Sequence, residues 1–145
     1  MPEFSPEARI KASIQPGSVY YFPDEELSSP EPHYFIVLNH NPSDDMVLLL
    51  VCSSSQIEKV KRRRSGLPGT CIEIVMSDYK DFTVDSIVDC NNVFKRSINH
   101  LVNKLTSGDL KIKSEMNFAI VQRLRSAVLN STLVSREDKQ MLIVE

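Results

Sequence analysis

The sequence lacks several features that would indicate a particular class of protein. It has no tryptophan, and its three cysteines, Cys52, Cys71 and Cys90, are far apart, with no C-x-x-C or zinc-type spacing. We expect them to be reduced thiols. A glycine-rich phosphate loop, a G-x-S-x-G elbow and a cluster of metal ligands are also missing. The sequence therefore predicts no cofactor and no metal, and it argues against a serine hydrolase.

Long apolar runs and a strong net charge are missing too. The longest apolar run, Met46 to Cys52, has the length of a strand, whereas a membrane-spanning helix needs roughly 18 residues. The first residues lack the basic start and apolar stretch of a secretory signal. We therefore expect no membrane partner and a cytosolic protein. The balance of 17 Lys and Arg against 19 Asp and Glu argues against nucleic-acid binding through bulk positive charge, although a local basic patch escapes that count.

The 145 residues suit one domain of modest size. Residues 1–15 are polar and contain two prolines, so we expect a flexible N-terminal arm with a short helical turn over 6–13, followed by a single domain over 16–145. Residue patterns predict five strands, at 18–22, 33–39, 46–52, 71–76 and 86–93. Helices are predicted over 97–105, from an N-cap at Ser114 to Asn130, and after an N-cap at Ser135. Strands first and helices last predict an α+β fold, mainly β, built as a small bent antiparallel sheet or barrel with a helix packed against it.

Three strand motifs together resemble a known family. They are Gly-Ser-Val-Tyr-Tyr-Phe from Gly17, His-Tyr-Phe-Ile-Val-Leu-Asn from His33, and Leu-Leu-Leu-Val-Cys-Ser-Ser-Ser-Gln from Leu48. With Leu-Thr-Ser-Gly-Asp-Leu from Leu105, this pattern resembles the MazF/PemK/Kid toxins of type II toxin-antitoxin systems over roughly residues 17–131. The resemblance implies an SH3-like barrel with a C-terminal helix, a homodimer, and a metal-independent endoribonuclease that acts on single-stranded RNA and is silenced by a cognate antitoxin protein.

The main departure from that family lies at the head of the second strand. Family members carry an arginine before a proline there, and that arginine acts on the scissile phosphate, whereas this sequence has His33 and Tyr34. The family's hydroxyl pair at the end of the third strand matches Ser54 and Ser55. We therefore assign His33 and Ser54 as catalytic and Ser55 as RNA-binding. Because an imidazole changes its charge near neutrality, a ribonuclease built on His33 should change its activity between about pH 5 and 8.

One segment is strongly basic. Five of the six residues from Lys59 to Arg64 are cationic, and nearby glycines favour a flexible loop that follows a nucleic-acid backbone. We assign Lys61, Arg62, Arg63 and Arg64 to RNA binding. A solvated loop that only adds charge is an equally good interpretation. The acidic loop over 24–32 would repel RNA on the same side, or it would neutralise the basic segment.

Other side chains have two interpretations each. Tyr20, Tyr21, Tyr34 and Phe35 suit a base-stacking platform, but their strand periodicity favours core packing. A lone His33 indicates no partner, and the pattern favours a strand-end histidine that only bonds backbone. Likewise, Ser53, Ser54 and Ser55 fit somewhat better as strand-end hydroxyls that bond the backbone of the loop. We expect His40 to be a turn residue and His100 to be solvated.

Two further functions stay open beside the toxin-like ribonuclease. The alternative is a non-catalytic protein- or peptide-binding module on the same barrel, which predicts no RNA cleavage and full tolerance of His33→Ala. The other is a structural subunit of a larger assembly that uses the apolar residues from Met141 to Val144 as an exposed edge.

Overall fold

A computed structural model describes residues 4–143. Five α-helices lie at Pro6–Ser13 (α1), Ile57–Arg63 (α2), Ile98–Thr106 (α3), Phe118–Asn130 (α4) and Arg136–Gln140 (α5). Seven strands lie at Val19–Phe22 (β1), His33–Val37 (β2), Val47–Ser54 (β3), Cys71–Ile74 (β4), Ser86–Asp89 (β5), Phe94–Ser97 (β6) and Lys111–Lys113 (β7). In residues 4–143, no helix has both the length and the apolar character needed to cross a bilayer.

The strands form one antiparallel sheet in the order β4-β5-β3-β2-β1-β7. The central strand β3 is shared: Val47–Leu50 pair with β6, and Ser53 and Ser54 pair with β5. Within the described residues the path ends at β4 and β7 without closing. The α+β class with a mainly antiparallel sheet is therefore confirmed.

Both faces of the sheet are covered, which explains the continuous apolar runs of β2 and β3. Leu49 and Val51 face a core that contains Leu124 of α4, whereas Leu48 and Leu50 face a second core. That second core is completed by α1 and α3, through fully buried residues that include Ile10 and Leu101. Successive side chains alternate between the two faces, so a stretch covered on both faces is apolar at successive positions, as over residues 35–37 and 48–51.

The N-terminal region differs from the predicted loose arm. Ser5 caps α1 by accepting a hydrogen bond of 3.1 Å from the Ala8 amide, and Pro6 occupies the first turn, where its missing N–H costs nothing. Ile10 is fully buried, and α1 lies against α3. Residues 6–13 are therefore packed against the domain as a helix. The first three residues of the predicted arm lie outside the described part.

The basic segment also differs from its prediction. Instead of a flexible loop, Ile57–Arg63 form α2, which lies next to β5. Val60 is buried and Ile57 is half-buried, three residues apart on one side of the helix. Burial of this apolar pair fixes the orientation of α2 against the sheet. It therefore also fixes the direction in which each lysine and arginine of the helix points.

The start of α4 was predicted three residues too early. The amide of Ser114 donates to Asp81 Oδ2 at 2.8 Å, and the hydroxyl of Tyr79 donates to the Ser114 carbonyl at 2.6 Å. These contacts keep residues 114–116 out of the helix. Asn117 is the N-cap instead, accepting from the Ala119 amide at 2.8 Å. The predicted end at Asn130 and the Ser135 cap of α5 are confirmed.

Two strands, β6 and β7, were not predicted, because basic residues interrupt the apolar pattern of these short segments. The predicted strand over 86–93 ends at Asp89.

The proposed apolar edge at the C-terminus is partly inside the fold, since Leu142 is buried, whereas Ile143 is exposed. Val144 lies outside the described residues.

Candidate functional site

The candidate site is a cleft where the pairing of β2 with β3 stops. The last paired residues are Phe35 and Cys52, and two residues further along each strand are His33 and Ser54. Ser54 pairs instead with Ile87 of β5, on the opposite edge of β3 from β2. A cleft of about 620 Å³ lies at this point. Antiparallel register therefore brings His33 and Ser54 to the same opening.

The cleft is lined mainly by polar side chains. Its walls include hydroxyls, cations, one imidazole, carboxylates and aromatic rings, contributed by Ser53, Ser54, Ser55, Ser86, Thr83, Lys59, Arg63, His33, Glu31, Asp89, Tyr21, Tyr34 and Phe82. Of the predicted site residues, His33, Ser54, Ser55 and Arg63 meet here. Lys61, Arg62 and Arg64 do not line the cleft.

His33 is half-buried at the head of β2. Its Nδ1 lies 2.9 Å from the backbone carbonyl oxygen of Glu31. A carbonyl oxygen only accepts hydrogen bonds, so Nδ1 carries the hydrogen and donates it. In the neutral ring the lone pair then resides on Nε2, and this is the nitrogen able to take a proton from a bound molecule.

Ser54 and Ser55 follow one another at the end of β3. The Oγ of Ser54 accepts a hydrogen bond of 3.1 Å from the Gln56 amide. A serine hydroxyl has one hydrogen to donate and two lone pairs, so this contact leaves the Ser54 hydrogen free to donate to an anion. Ser55 is exposed at the rim, while Ser53 is buried. These hydroxyls suit hydrogen bonding to phosphate oxygens.

The helix α2 divides the basic residues between two sides. Lys59 and Arg63 are four residues apart, on one face, and both line the cleft. Lys61 points to β4 and forms an ion pair with Glu73. Arg62 is exposed away from the cleft lining. Sequence analysis missed Lys59, although its four-residue spacing from Arg63 would have identified the shared face had a helix been predicted.

Asp89 holds two arginines of the basic segment, Arg63 and Arg64, in position. Its carboxylate accepts hydrogen bonds from Arg64 Nε at 2.9 Å and from Arg63 Nη2 at 3.3 Å. It also accepts from the amide and the side chain of Asn91, at 3.1 and 2.9 Å. Burial raises the pKa of Asp89, but the hydrogen bonds from Asn91 and Arg64 outweigh burial and lower its pKa below the ordinary value. Asp89 is thus a buried anion that anchors the basic helix to the cleft floor.

The aromatic residues separate according to strand face. Tyr20 and Phe35 are fully buried, as core packing predicts. Tyr21 and Tyr34 are half-buried and line the cleft, with ring centroids 4.5 Å apart. Cys52 also lines the cleft, but burial raises the pKa of its thiol to about 12, which keeps it protonated near neutrality. A protonated thiol is a poor nucleophile, so we assign Cys52 no catalytic role.

Two acidic residues of the loop over 24–32 pair with Arg96 of β6 and not with the basic helix. Asp24 is buried and accepts hydrogen bonds of 2.9 and 2.7 Å from Arg96, which also contacts Glu26 at 3.1 Å. Burial raises the pKa of Asp24, but the hydrogen bonds from Arg96 and the Glu26 backbone outweigh burial and lower it. Of the loop's acidic side chains, Glu31 lines the cleft. Pairing with Arg96 offsets the charge of Asp24 and Glu26, whereas Glu31 places a carboxylate at the cleft itself.

The other two histidines lie away from the cleft. His40 Nε2 is 2.8 Å from the Leu142 carbonyl oxygen. His100, predicted to be solvated, is half-buried instead, and its Nε2 is a buried atom without a hydrogen-bond partner in the described residues. Burial, followed by the nearby charge of Arg96, lowers the pKa of His100. Within residues 4–143, no group of three or more His, Cys, Asp and Glu side chains could hold a metal ion.

No model of a known protein family matches the chain, and no curated protein does. The likeness to the MazF/PemK/Kid toxins therefore depends on the strand and turn residues quoted above.

Proposed function

We propose that the chain binds single-stranded RNA in this cleft and cleaves it without a metal ion, as a divergent MazF/PemK-like toxin. The observation that carries the proposal is the meeting of His33, Ser54, Ser55 and Arg63 in one opening, with Lys59 beside them. An imidazole, free hydroxyl donors and fixed cations are the groups that transfer protons and hold a phosphate during RNA cleavage.

The chemistry assigns one task to each side chain. Nε2 of His33 takes the proton from a ribose 2′-hydroxyl, and the 2′ oxygen then attacks the adjacent phosphorus. The bond from phosphorus to the 5′ oxygen breaks, and that oxygen takes a proton from solvent. The products are a 2′,3′-cyclic phosphate and a 5′-hydroxyl. Ser54 and Arg63 stabilise the negative charge on the phosphate oxygens during the attack.

Other family properties belong to the same proposal. The SH3-like barrel is supported by β3, which pairs with β5 and β6 along one edge and so joins the two parts of the sheet. A homodimer, a cognate antitoxin protein and action in the cytosol follow from the resemblance alone. A short reading frame next to the gene that encodes an acidic or disordered tail would support the antitoxin.

The test is cleavage of end-labelled single-stranded RNA by the purified protein in excess chelator. We expect His33→Ala to lower the rate by about 10²- to 10⁴-fold, the usual contribution of a general base. Ser54→Ala should lower it less, since other donors remain. His40→Ala is the matched control, because His40 lies outside the cleft, and it should cleave like the wild type. Equal cleavage by His33→Ala and wild type would refute the assignment of His33.

A second candidate function, the non-catalytic protein- or peptide-binding module, is favoured by one observation. Among residues 4–143, His33 is the only histidine that lines the cleft, so a second imidazole to act as general acid is missing there. This candidate predicts that no RNA is cleaved and that His33→Ala leaves a stable complex with a protein partner unchanged. RNA cleavage that depends on His33 would rule it out.

A further inference from the structure

The cleft contains an aromatic pair that the chemistry above does not use. Tyr21 of β1 and Tyr34 of β2 are direct partners in the antiparallel register, so their side chains project from the same face. Their ring centroids are 4.5 Å apart with a tilt of 44°. Both rings are half-buried and line the cleft, whereas the adjacent Tyr20 and Phe35 are buried on the opposite face. The sheet therefore presents two rings to a bound molecule.

The pair is held in place before anything binds. The hydroxyl of Tyr34 donates a hydrogen bond of 3.0 Å to the Asp81 carbonyl, and the Phe82 ring packs edge-on against the Tyr34 ring at 5.0 Å. Burial raises the pKa of Tyr34, with Tyr21 and Asp81 adding to the effect, so the phenol stays neutral. A ring that is already ordered loses little side-chain entropy when a ligand stacks on it.

Positive charge lies beside the pair, on the edge strand β7. Nζ of Lys113 is 5.5 Å from the centroid of the Tyr21 ring, and Lys111 is the direct strand partner of Tyr21. Aromatic rings next to lysines are the combination that binds unpaired bases and their phosphates without a fixed sequence. An apolar protein segment would gain nothing from the two ammonium groups.

Tyr34 is the neighbour of His33 in β2, and Tyr21 lies on β1, one strand further from the basic helix. From β5, next to α2, to β1 there are three interstrand steps, which span about 14 Å at the usual strand spacing. His33 and Ser54 belong to β2 and β3, between those limits. Both tyrosines, His33, Ser54 and the cations Lys59 and Arg63 line the same cleft, so a short oligonucleotide bound there lies within reach of all of them.

We propose that Tyr21 and Tyr34 form a base-stacking subsite for an unpaired nucleotide next to the scissile phosphate, with Lys113 binding the phosphate of that nucleotide. The inference rests on the proposed binding of single-stranded RNA. It adds a site for a base, whereas His33, Ser54 and Arg63 act on the phosphate.

The experiment uses a 2′-O-methyl oligonucleotide of about 10 residues, within the usual site size for single strands, which binds but cannot be cleaved. A 2-aminopurine base placed at successive positions reports stacking through its fluorescence. We expect quenching at one position with the wild type and its loss with Tyr21→Leu, together with about 5- to 150-fold weaker binding. Tyr21→Phe keeps the ring and should bind like the wild type.

Two further measurements separate stacking from structural damage. An oligonucleotide that is abasic at the quenched position should bind wild type and Tyr21→Leu equally, because the interaction lost by the variant is already absent. Lys113→Gln should reduce the slope of log affinity against log salt by about 0.7, the value for one phosphate contact on a single strand. Tyr20→Phe and Lys11→Gln are controls, since Tyr20 faces the other core and Lys11 lies in α1.

The outcomes distinguish the two proposals. If the wild type binds no single-stranded RNA, both the proposed function and the subsite are wrong. If binding depends on Arg63 but Tyr21→Leu binds and quenches like the wild type, the subsite alone is wrong. If Tyr21→Phe is as weak as Tyr21→Leu, the hydroxyl is the determinant and stacking is refuted.

Discussion

Asp89 allows the sharpest test of how the cleft is held together. Its side chain is 10% exposed and accepts hydrogen bonds from Arg63, Arg64, both donors of Asn91 and the Cys71 thiol. Replacing Asp89 by alanine leaves the Asn91 donors buried without this acceptor, at about 1–3 kcal/mol for each unsatisfied group. It also leaves Arg64 without its ion-pair partner.

The loss of unfolding free energy depends on how far water replaces the hydrogen bonds that the two arginines lose. Breaking a fully buried ion pair costs about 3–5 kcal/mol. The side chains of Arg64 and Arg63 are 21% and 51% exposed, so water replaces part of what they lose. We therefore expect Asp89→Ala to lower the free energy of unfolding by about 3 kcal/mol, at the lower end of that range. At a usual urea dependence this shifts the midpoint down by about 1–3 M.

The assay is urea unfolding at pH 7, followed by far-ultraviolet circular dichroism. Glu73→Ala is the matched control, because Glu73 lies on the adjacent strand β4 and pairs with Lys61 of the same helix at the exposed surface. Exposed pairs contribute little, so the control midpoint should stay near that of the wild type. If Asp89→Ala loses no more stability than Glu73→Ala, the anchoring role of Asp89 is refuted.

The pH dependence provides a second check on the same residue. The pKa of Asp89 is lower in the fold than its ordinary value of 3.8. A depressed carboxyl pKa means that its stabilisation is complete above the unfolded-state pKa and is lost as the pH falls through the folded-state pKa. The difference in stability between wild type and Asp89→Asn should therefore be constant above about pH 4 and shrink below it. A difference that grows on acidification would contradict this sign.

Three further changes have defined expectations, each measured by thermal or urea unfolding. Gly17→Ala should cost about 2 kcal/mol, because φ is +87° and a Cβ would lie 3.0 Å from a backbone carbonyl oxygen of the segment before α4. Arg96→Ala should cost about 3 kcal/mol, since it leaves the carboxylate of Asp24, whose side chain is 2% exposed, without its partner. Ser131→Ala should cost about 1–3 kcal/mol, because its buried hydroxyl donates to Asn91 Oδ1 at 2.6 Å.

Each of these has an outcome that contradicts it. Gly66→Ala is the control for Gly17, because nothing lies within 4 Å of the added Cβ, and equal stability of the two variants would remove the steric argument. A wild-type midpoint for Arg96→Ala would mean that Asp24 is not held by this pair. For Ser131, a double variant with Asn91→Ala whose losses simply add would show that the two side chains do not interact.

The central strands were predictable from local sequence because burial on both faces leaves a local pattern. In β2 and β3 every inward position is apolar whichever face it meets, so the runs from Phe35 and from Leu48 identify strands without knowledge of their neighbours. The cap of α5 was equally local, since Ser135 accepts from the amide three residues later. In both cases the interacting groups are close together in sequence.

The elements that were missed depend on distant contacts. Ser114 has the residue type of an N-cap, but Tyr79 and Asp81 hold its backbone from more than 30 residues away, which no local pattern records. The same holds for β7, whose three residues become a strand by pairing with β1. Residues 57–63 contain the apolar pair that helix α2 buries. The five positive charges between residues 59 and 64 nevertheless favoured the prediction of a loop.

The candidate site divides in the same way. His33 and Ser54 were assigned through the family resemblance, and the register of the consecutive strands β2 and β3 places both at one opening. The opposite wall of the cleft could not be predicted in this way. Lys59 and Arg63 share a face only because α2 is a helix, which the sequence pattern did not indicate. The role of Asp89 depends on the burial of a charged side chain, which the sequence pattern did not indicate either. Asp89 is the last residue of β5, and only its buried hydrogen bonds with Asn91 show that its charged side chain points inward.

The pairing of β1 with β7 has a consequence for how the chain folds during synthesis. Tyr21 and Lys111 are direct partners although about 90 residues separate them. Every residue that lines the cleft has been synthesised once the chain reaches residue 94. The outer edge of β1, however, stays unpaired until β7 emerges from the ribosome. An unpaired edge is where growing chains associate with each other. We expect the nascent protein to be most prone to aggregation in the interval between those two points. Pairing with β7 then removes the free edge of β1, and the two lysines of β7 place positive charge on the new edge strand.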